Sequence, residues 1–247
     1  MAKNIVITGA GVGLGRALAR RFANEGEKVI LLGRTAAKVE AAAAEIGSNA
    51  SAIQCDVGDP DSVRRAFGEI ASTVDNIDVL INNAAVFEPF LLQNATDQQI
   101  HSAVNTNLCG AMFCIREAIP QMKPGSHIIN VSSESVELPL PHLSVYQSSK
   151  AGLEKLTESL EQELSPQGLR VSYVRAGAMY EEGKTWNANP EDQMAFAKAA
   201  MERGINLREK ALSQFTSVTD LFRALIDLPE DLHAVSISLR ARKQLSQ

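Results

Sequence analysis

The chain has 247 residues, 45% of them apolar and 21% charged, with a net charge of -5 and an isoelectric point near 5.5. That length supports one large α/β core, and the acidic balance lacks the basic footprint of a nucleic-acid binder. No apolar run approaches the roughly 20 residues of a membrane span, and Met1–Thr8 lacks a signal-peptide pattern, so a cytoplasmic protein is expected.

The first strand is expected at Asn4–Thr8. Thr8-Gly9-Ala10-Gly11-Val12-Gly13-Leu14-Gly15 follows directly and opens a helix over Leu14–Asn24. Glycines there permit a tight turn and a close backbone approach, and the helix start offers free N–H groups and a positive dipole end to a pyrophosphate. In this strand–turn–helix context the run reads as a dinucleotide site. The second strand, Lys28–Leu32, ends in Gly33-Arg34-Thr35 with no acidic residue. A carboxylate there would bond the ribose hydroxyls of NAD, whereas an Arg accommodates the 2′-phosphate of NADP. Arg34 offers a planar fork of donors, so NADP (NADPH) is expected in preference to NAD.

Helix Ala36–Ile46, strand Ala50–Cys55, helix Pro60–Thr73 and strand Asp78–Asn82 continue the alternation, followed by helix Asp97–Met122, strand His127–Val131, helix Tyr146–Leu164 and strand Arg170–Arg175. Helix Ser217–Leu228 and strand Ala234–Leu239 close it. Repeated βαβ units with short connections predict a doubly wound, mostly parallel sheet of about seven strands, helices on both faces, in a single domain. Ligands then bind beyond the strand carboxyl ends, with residues 1–135 forming mainly the cofactor half. Cys55, Cys109 and Cys114 are odd in number and lack metal-ligand spacing, so they read as reduced, mostly buried thiols, and no metal site is expected.

Pro89–Gln93 and Glu137–Leu143 interrupt the rhythm as loops. The longer exception, Ala178–Leu212, carries Met179, Trp186, Met194, Phe196 and Met201 and reads as a substrate loop or lid. Tyr146 and Lys150 stand four apart and share a helix face. Tyrosine alone titrates near 10, and a nearby cation favours the phenolate. Ser133, just beyond the strand ending at Val131, reaches the same region.

The chain resembles the classical short-chain dehydrogenase/reductase family over nearly its whole length. The matching residues are Thr8-Gly9 with Gly13 and Gly15, Asp56-Val57, Asn82-Asn83-Ala84-Ala85, Asn107, Ser133, Tyr146 and Lys150. Extended epimerase-type relatives space their glycines differently, and enoyl reductases set the Lys further from the Tyr. The resemblance implies a Rossmann-type fold in which Gly9, Gly13, Leu14 and Gly15 hold the dinucleotide. It also implies that Asp56 and Val57 hold the adenine and that Asn83 and Ala84 line the cleft. Asn107, Ser133, Tyr146 and Lys150 would form a catalytic tetrad, with Lys150 also bonding the nicotinamide ribose. Three departures stand out: Ala176-Gly177 replaces Pro-Gly, Glu181 falls near a family Thr, and the ending Ser236-Ile237-Ser238-Leu239-Arg240 is unusual. Val12 occupies a position that is often basic in NADP-preferring members.

The expected function is an NADP-dependent oxidoreductase interconverting a secondary alcohol and a ketone or aldehyde, with Tyr146 as general acid/base. The alternative is an inactive NADP-binding sensor of the same fold, motivated by Ala176-Gly177 and the missing Thr. Val86, Phe87, Pro89, Phe90, Leu138, Leu140, Leu143, Met179, Tyr180 and Trp186 suggest an apolar pocket for a medium-sized carbonyl or alcohol, with Glu134, Glu137 and His142 at its border. The family pairs helices like Asp97–Met122 and Tyr146–Leu164 across a two-fold axis, implying a homodimer or homotetramer. The stripe Leu153, Leu156, Leu160 is needed in any case to pack on the sheet.

Overall fold

Side-chain alternation along the strands sets the architecture of this computed structural model, which describes residues 2–179, 189–207 and 209–242. In β1 (Asn4–Thr8), Ile5 and Ile7 enter the cluster on one face and Val6 that on the other, all fully buried, as the two-residue period of a strand requires. Val6 stands in register between Ile30 of β2 (Lys28–Gly33) and Leu80 of β4 (Ile77–Asn82). With β3 (Ala50–Gln54), β5 (Met122–Ser133), β6 (Arg170–Ala176) and β7 (Ser236–Ser238) they form a seven-stranded parallel sheet, ordered β3-β2-β1-β4-β5-β6-β7. The chain direction across the sheet reverses between β1 and β4, which opens a crevice at their carboxyl ends.

Helices α1 (Gly13–Asn24), α2 (Ala36–Ile46) and α8 (Phe215–Ile226) cover the Ile5 face through Leu18, Phe22, Val39 and Phe222. The Val6 face takes α3 (Pro60–Thr73), α5 (Gly110–Ala118) and α6 (Ser144–Leu164) through Val63, Phe67, Ile115 and Leu164. Each such large side chain, fully buried, contributes about 1.5–3 kcal/mol. Local signals fix the helix starts. Asp59 accepts the Asp61 N–H at 3.0 Å with Pro60 in the first turn of α3, and Thr96 and Gln99 form a reciprocal capping box on α4 (Asp97–Val104).

The continuous helix expected over Asp97–Met122 is corrected in two places. A π-helical segment, Asn105–Cys109, separates α4 from α5, and Asn107 lies within it. The helix then tightens into a 3₁₀ turn at Ile119–Gln121 around Pro120, and Met122 already belongs to β5. Such π segments shift the facing of side chains and recur at functional sites. The last strand is also shorter than Ala234–Leu239, its pairing with β6 being limited to Ser236–Ser238.

Within the insertion, α7 (Pro190–Glu202) is capped by Asn189, which accepts from the Glu191 N–H at 2.7 Å. Phe196 turns fully inward, whereas Met194 and Met201 face solvent and Met179 packs against the sheet cluster beside α1 and α8. One of the four described bulky residues thus serves the site side. The readings attached to Tyr180, Glu181 and Trp186 lie outside the described residues.

Candidate active site

The glycine turn between β1 and α1 is fixed by backbone contact. Gly9 has φ 66° and Gly13 φ 60°, values that side chains disfavour. A Cβ on Gly15 would come within 2.6 Å of both the Asn83 amide nitrogen and the Gly9 carbonyl. The facing residues Asn83 and Ala84 follow β4 and are tied to the same turn. Thr8 Oγ1 accepts both of their backbone N–H groups at 3.0 Å, and Asn83 Nδ2 donates to the Thr8 carbonyl at 3.0 Å. Asn82, behind them, donates to buried Asn130 at 2.9 Å, and Asn130 to Thr157 of α6 at 2.9 Å. This ladder stitches the turn to β5 and α6, and its Thr8 links are a detail that spacing alone does not reveal.

At the rim of the crevice, Arg34 is exposed, and its guanidinium has no hydrogen-bonding or ion-pair partner among the described residues; its carbonyl accepts from Gln54. Lys38, on the first turn of α2, lies against Gly11. After β3, Asp56 Oδ1 accepts the Gly58 N–H at 3.0 Å, and Val57 is buried against Gly110. Cys55 beside them is pushed up to about 11 by burial.

The four expected tetrad residues converge at the carboxyl ends of β4 and β5. Tyr146 sits beside Ser133; burial raises the phenol's pKa and the neighbouring Ser133 side chain opposes the shift. Lys150 is buried and donates from Nζ to the Val131 carbonyl at 2.7 Å, and burial lowers it to about 8. Ser133 Oγ also accepts the Ser135 N–H at 3.2 Å and lies 2.9 Å from Ser135 Oγ. Asn107 is buried, with Oδ1 accepting the Val86 N–H at 2.7 Å and Nδ2 donating to the Val86 carbonyl and to Ser149 Oγ. Ser149 in turn donates to the Tyr146 carbonyl at 2.7 Å. Asn107 therefore fixes the loop after β4 against the helix that carries Tyr146.

Beside Tyr146 the walls are apolar. Leu140, Leu143, Phe196 and Ala200 form a buried cluster with Phe87, Ile205 and Leu207 against it, and the Phe87 ring meets Tyr146 edge-on at 5.1 Å. The two loops of this region touch where the Phe90 N–H donates to the His142 carbonyl at 2.8 Å.

The sequence model of the family described as short chain dehydrogenase matches residues 3–192. The chain belongs to the short chain dehydrogenase family. Among the relatives of this family member is the 3-oxoacyl-(acyl-carrier-protein) reductase FabG of Staphylococcus aureus, 36% identical over 72% of this chain and 74% of the relative. Another is the D-xylose 1-dehydrogenase of Caulobacter vibrioides, 32% identical over 82% of each chain. A short chain dehydrogenase from Burkholderia cenocepacia, solved in complex with NADP, is 27% identical with a TM-score of 0.81 over 96% of both chains. The protein is thus an NAD(P)-dependent short-chain dehydrogenase/reductase acting on CH–OH groups.

Two of the family departures have a visible setting. Ala176 ends β6 in register with Ser133, and Gly177 lies where a Cβ would meet the Leu239 carbonyl at 2.7 Å. No helix among the described residues is long and apolar enough to cross a membrane.

Proposed function

We propose that this protein uses NADP(H) to interconvert a secondary alcohol and a ketone or aldehyde, with Tyr146 moving the proton on the substrate oxygen. The observation that carries the reading is Tyr146 set beside Ser133, with buried Lys150 one turn along α6 donating to the Val131 carbonyl. The cofactor supplies the hydride when bound. Gly9, Gly13, Leu14 and Gly15 would receive its pyrophosphate, Asp56 and Val57 its adenine, and Asn83 and Ala84 would line its cleft. Arg34 would pair with a 2′-phosphate, and its exposed guanidinium, without a partner among the described residues, supports that assignment. The NADP complex of the Burkholderia relative points the same way.

The residues divide the chemistry as follows. Burial holds the Tyr146 phenol protonated, which suits a general acid in carbonyl reduction. Ser133 donates to the developing oxyanion. Lys150 would bond the nicotinamide ribose and, as a cation, favour the phenolate in the oxidative direction. The Asn107 side chain is committed to Val86 and Ser149, so its part is to hold the loop after β4 against α6.

The substrate is a medium-sized, largely apolar carbonyl or alcohol, a reading supported by Phe87, Leu140, Leu143 and Phe196 around Tyr146. We place the protein in the cytoplasm as a homodimer or homotetramer joined through α4–α5 and α6. On α6, Leu153 is buried, and Leu156 and Leu160 pack on the protein's own sheet cluster, so the oligomer rests on family likeness. In this reading one domain spans 1–247, with residues 1–135 serving mainly the cofactor. Binding titrations with NADPH and NADH, followed by a screen of carbonyls and alcohols, test the reading. NADPH binding about tenfold tighter than NADH, and turnover on at least one apolar carbonyl, are expected; tight NADPH binding with no turnover across the panel would favour the sensor instead.

A further inference from the structure

We propose that Glu134, the residue after Ser133, is a positioning residue that holds the neck of the segment following β6 against the reactive turn. Its carboxylate accepts the Ala178 N–H at 3.1 Å and the Lys210 ammonium at 2.6 Å. Ala178 is where the chain leaves the sheet after β6, and Lys210 lies where it returns toward α8. These two points are side by side: Met179 and Ser213 form a parallel bridge, and the Ser213 N–H donates to the Ala178 carbonyl at 2.9 Å. One carboxylate therefore receives a donor from each side of the neck.

The turn that presents Glu134 is itself held rigidly. Gln147, the neighbour of Tyr146, donates to the carbonyls of Ser135 at 2.6 Å and Leu138 at 2.9 Å. Glu137, three residues after Glu134, pairs with Arg175 and with Arg240, and Arg175 also pairs with buried Glu154 at 2.7 Å. Glu134 thus joins a turn fixed to α6 and β6 to the two ends of the neck. Lys210 follows closely on Ile205 and Leu207, which pack against the cluster beside Phe87 and Tyr146. A mostly buried carboxylate needs its donors in place; satisfying it sets where Ile205 and Leu207 come to rest. Glu134 acts on substrate fit through that wall, with no contact to the reacting atoms required.

The inference rests on the proposed role of Tyr146 and Ser133, so its test includes a readout that does not. Residue-resolved amide exchange is compared in wild type, Glu134→Ala, Glu134→Gln and Lys210→Met, together with NADPH titration and steady-state kinetics on a carbonyl found by screening. In Glu134→Ala, exchange at Ala178 and Ser213 is expected to accelerate at least ~10-fold. KM for the carbonyl rises about tenfold while kcat stays within ~3-fold. NADPH affinity is unchanged, and Glu134→Gln recovers much of the Ala178 protection because an amide oxygen still accepts there. If Glu134→Ala does not fold, Lys210→Met supplies the same comparison. Unchanged protection at both amides in the folded variants, or a loss confined to kcat, overturns the proposal. Full turnover in Tyr146→Phe would sink the catalytic reading instead, and the exchange data would still decide the tether.

Discussion

The two sides of the crevice are built by different means. On the cofactor side, glycine backbone is closely packed: Gly9 presses against the Ala84 backbone and Gly15 against the Asn83 side-chain amide, and Thr8 Oγ1 accepts two backbone N–H groups. On the substrate side, side chains from distant segments do the holding: Glu134 to Lys210, Glu137 to Arg175 and Arg240, Phe196 against the Phe87 cluster. Backbone contact leaves little freedom of residue type, because only glycine fits where a Cβ would lie 2.6 Å from a neighbour. Ion pairs and apolar contacts between remote segments can be made by many sequences. The first side suits a constant ligand and the second a variable one.

The largest expected effect attacks the backbone side. Gly15→Ala forces its Cβ into the Asn83 amide and the Gly9 carbonyl, at a cost of about 1–3 kcal/mol or more, and dinucleotide binding should be lost; thermal melts with and without NADPH would report both. Next, Ser133→Ala should lower kcat roughly 10²–10³-fold with NADPH affinity intact, measured by steady-state kinetics and fluorescence titration. Arg34→Ala sharpens the contrast further. Loss of a charge-assisted contact of about 1.5–3 kcal/mol should weaken NADPH by roughly tenfold to a hundredfold and leave NADH binding unchanged, as a paired titration would reveal.

Smaller effects come from buried bases. Lys150 is lowered by burial from 10.5 to about 8, so the unfolded chain holds the extra proton between these values and stability should rise with pH from about 8 toward 10.5. A Lys150→Met variant should lack that rise in denaturant melts. At the opposite end of the sheet, His127 is bonded to Ser172 at 2.8 Å, and burial lowers it from 6.5 to about 3. Here too the unfolded state binds the proton more readily, so stability present above pH 6.5 is lost as pH falls toward 3. His127→Gln should flatten that part of the acid-unfolding curve.

Legibility in the sequence followed the same divide. The bounds of α2 and α3 and the glycine turn were readable because caps, periodicity and glycine spacing are local signals. The π segment at Asn107 was not, since the surrounding run is uniformly helix-compatible and the break answers to tertiary bonds with Val86 and Ser149. Nor was the inward turn of Phe196 against the outward turn of Met194 and Met201, which depends on what α7 packs against. The place of Tyr146 and Lys150 on one helix was plain; that Lys150 turns to the Val131 carbonyl while Ser133 lies beside the phenol required the fold.

The most direct measurement is the rate of hydride transfer in Tyr146→Phe, followed by stopped-flow loss of NADPH absorbance with a carbonyl substrate identified by screening. Phenylalanine preserves the ring that packs on Phe87 and removes only the hydroxyl. The account predicts NADPH affinity within about twofold of wild type and transfer at least ~100-fold slower. Transfer at the wild-type rate would contradict it.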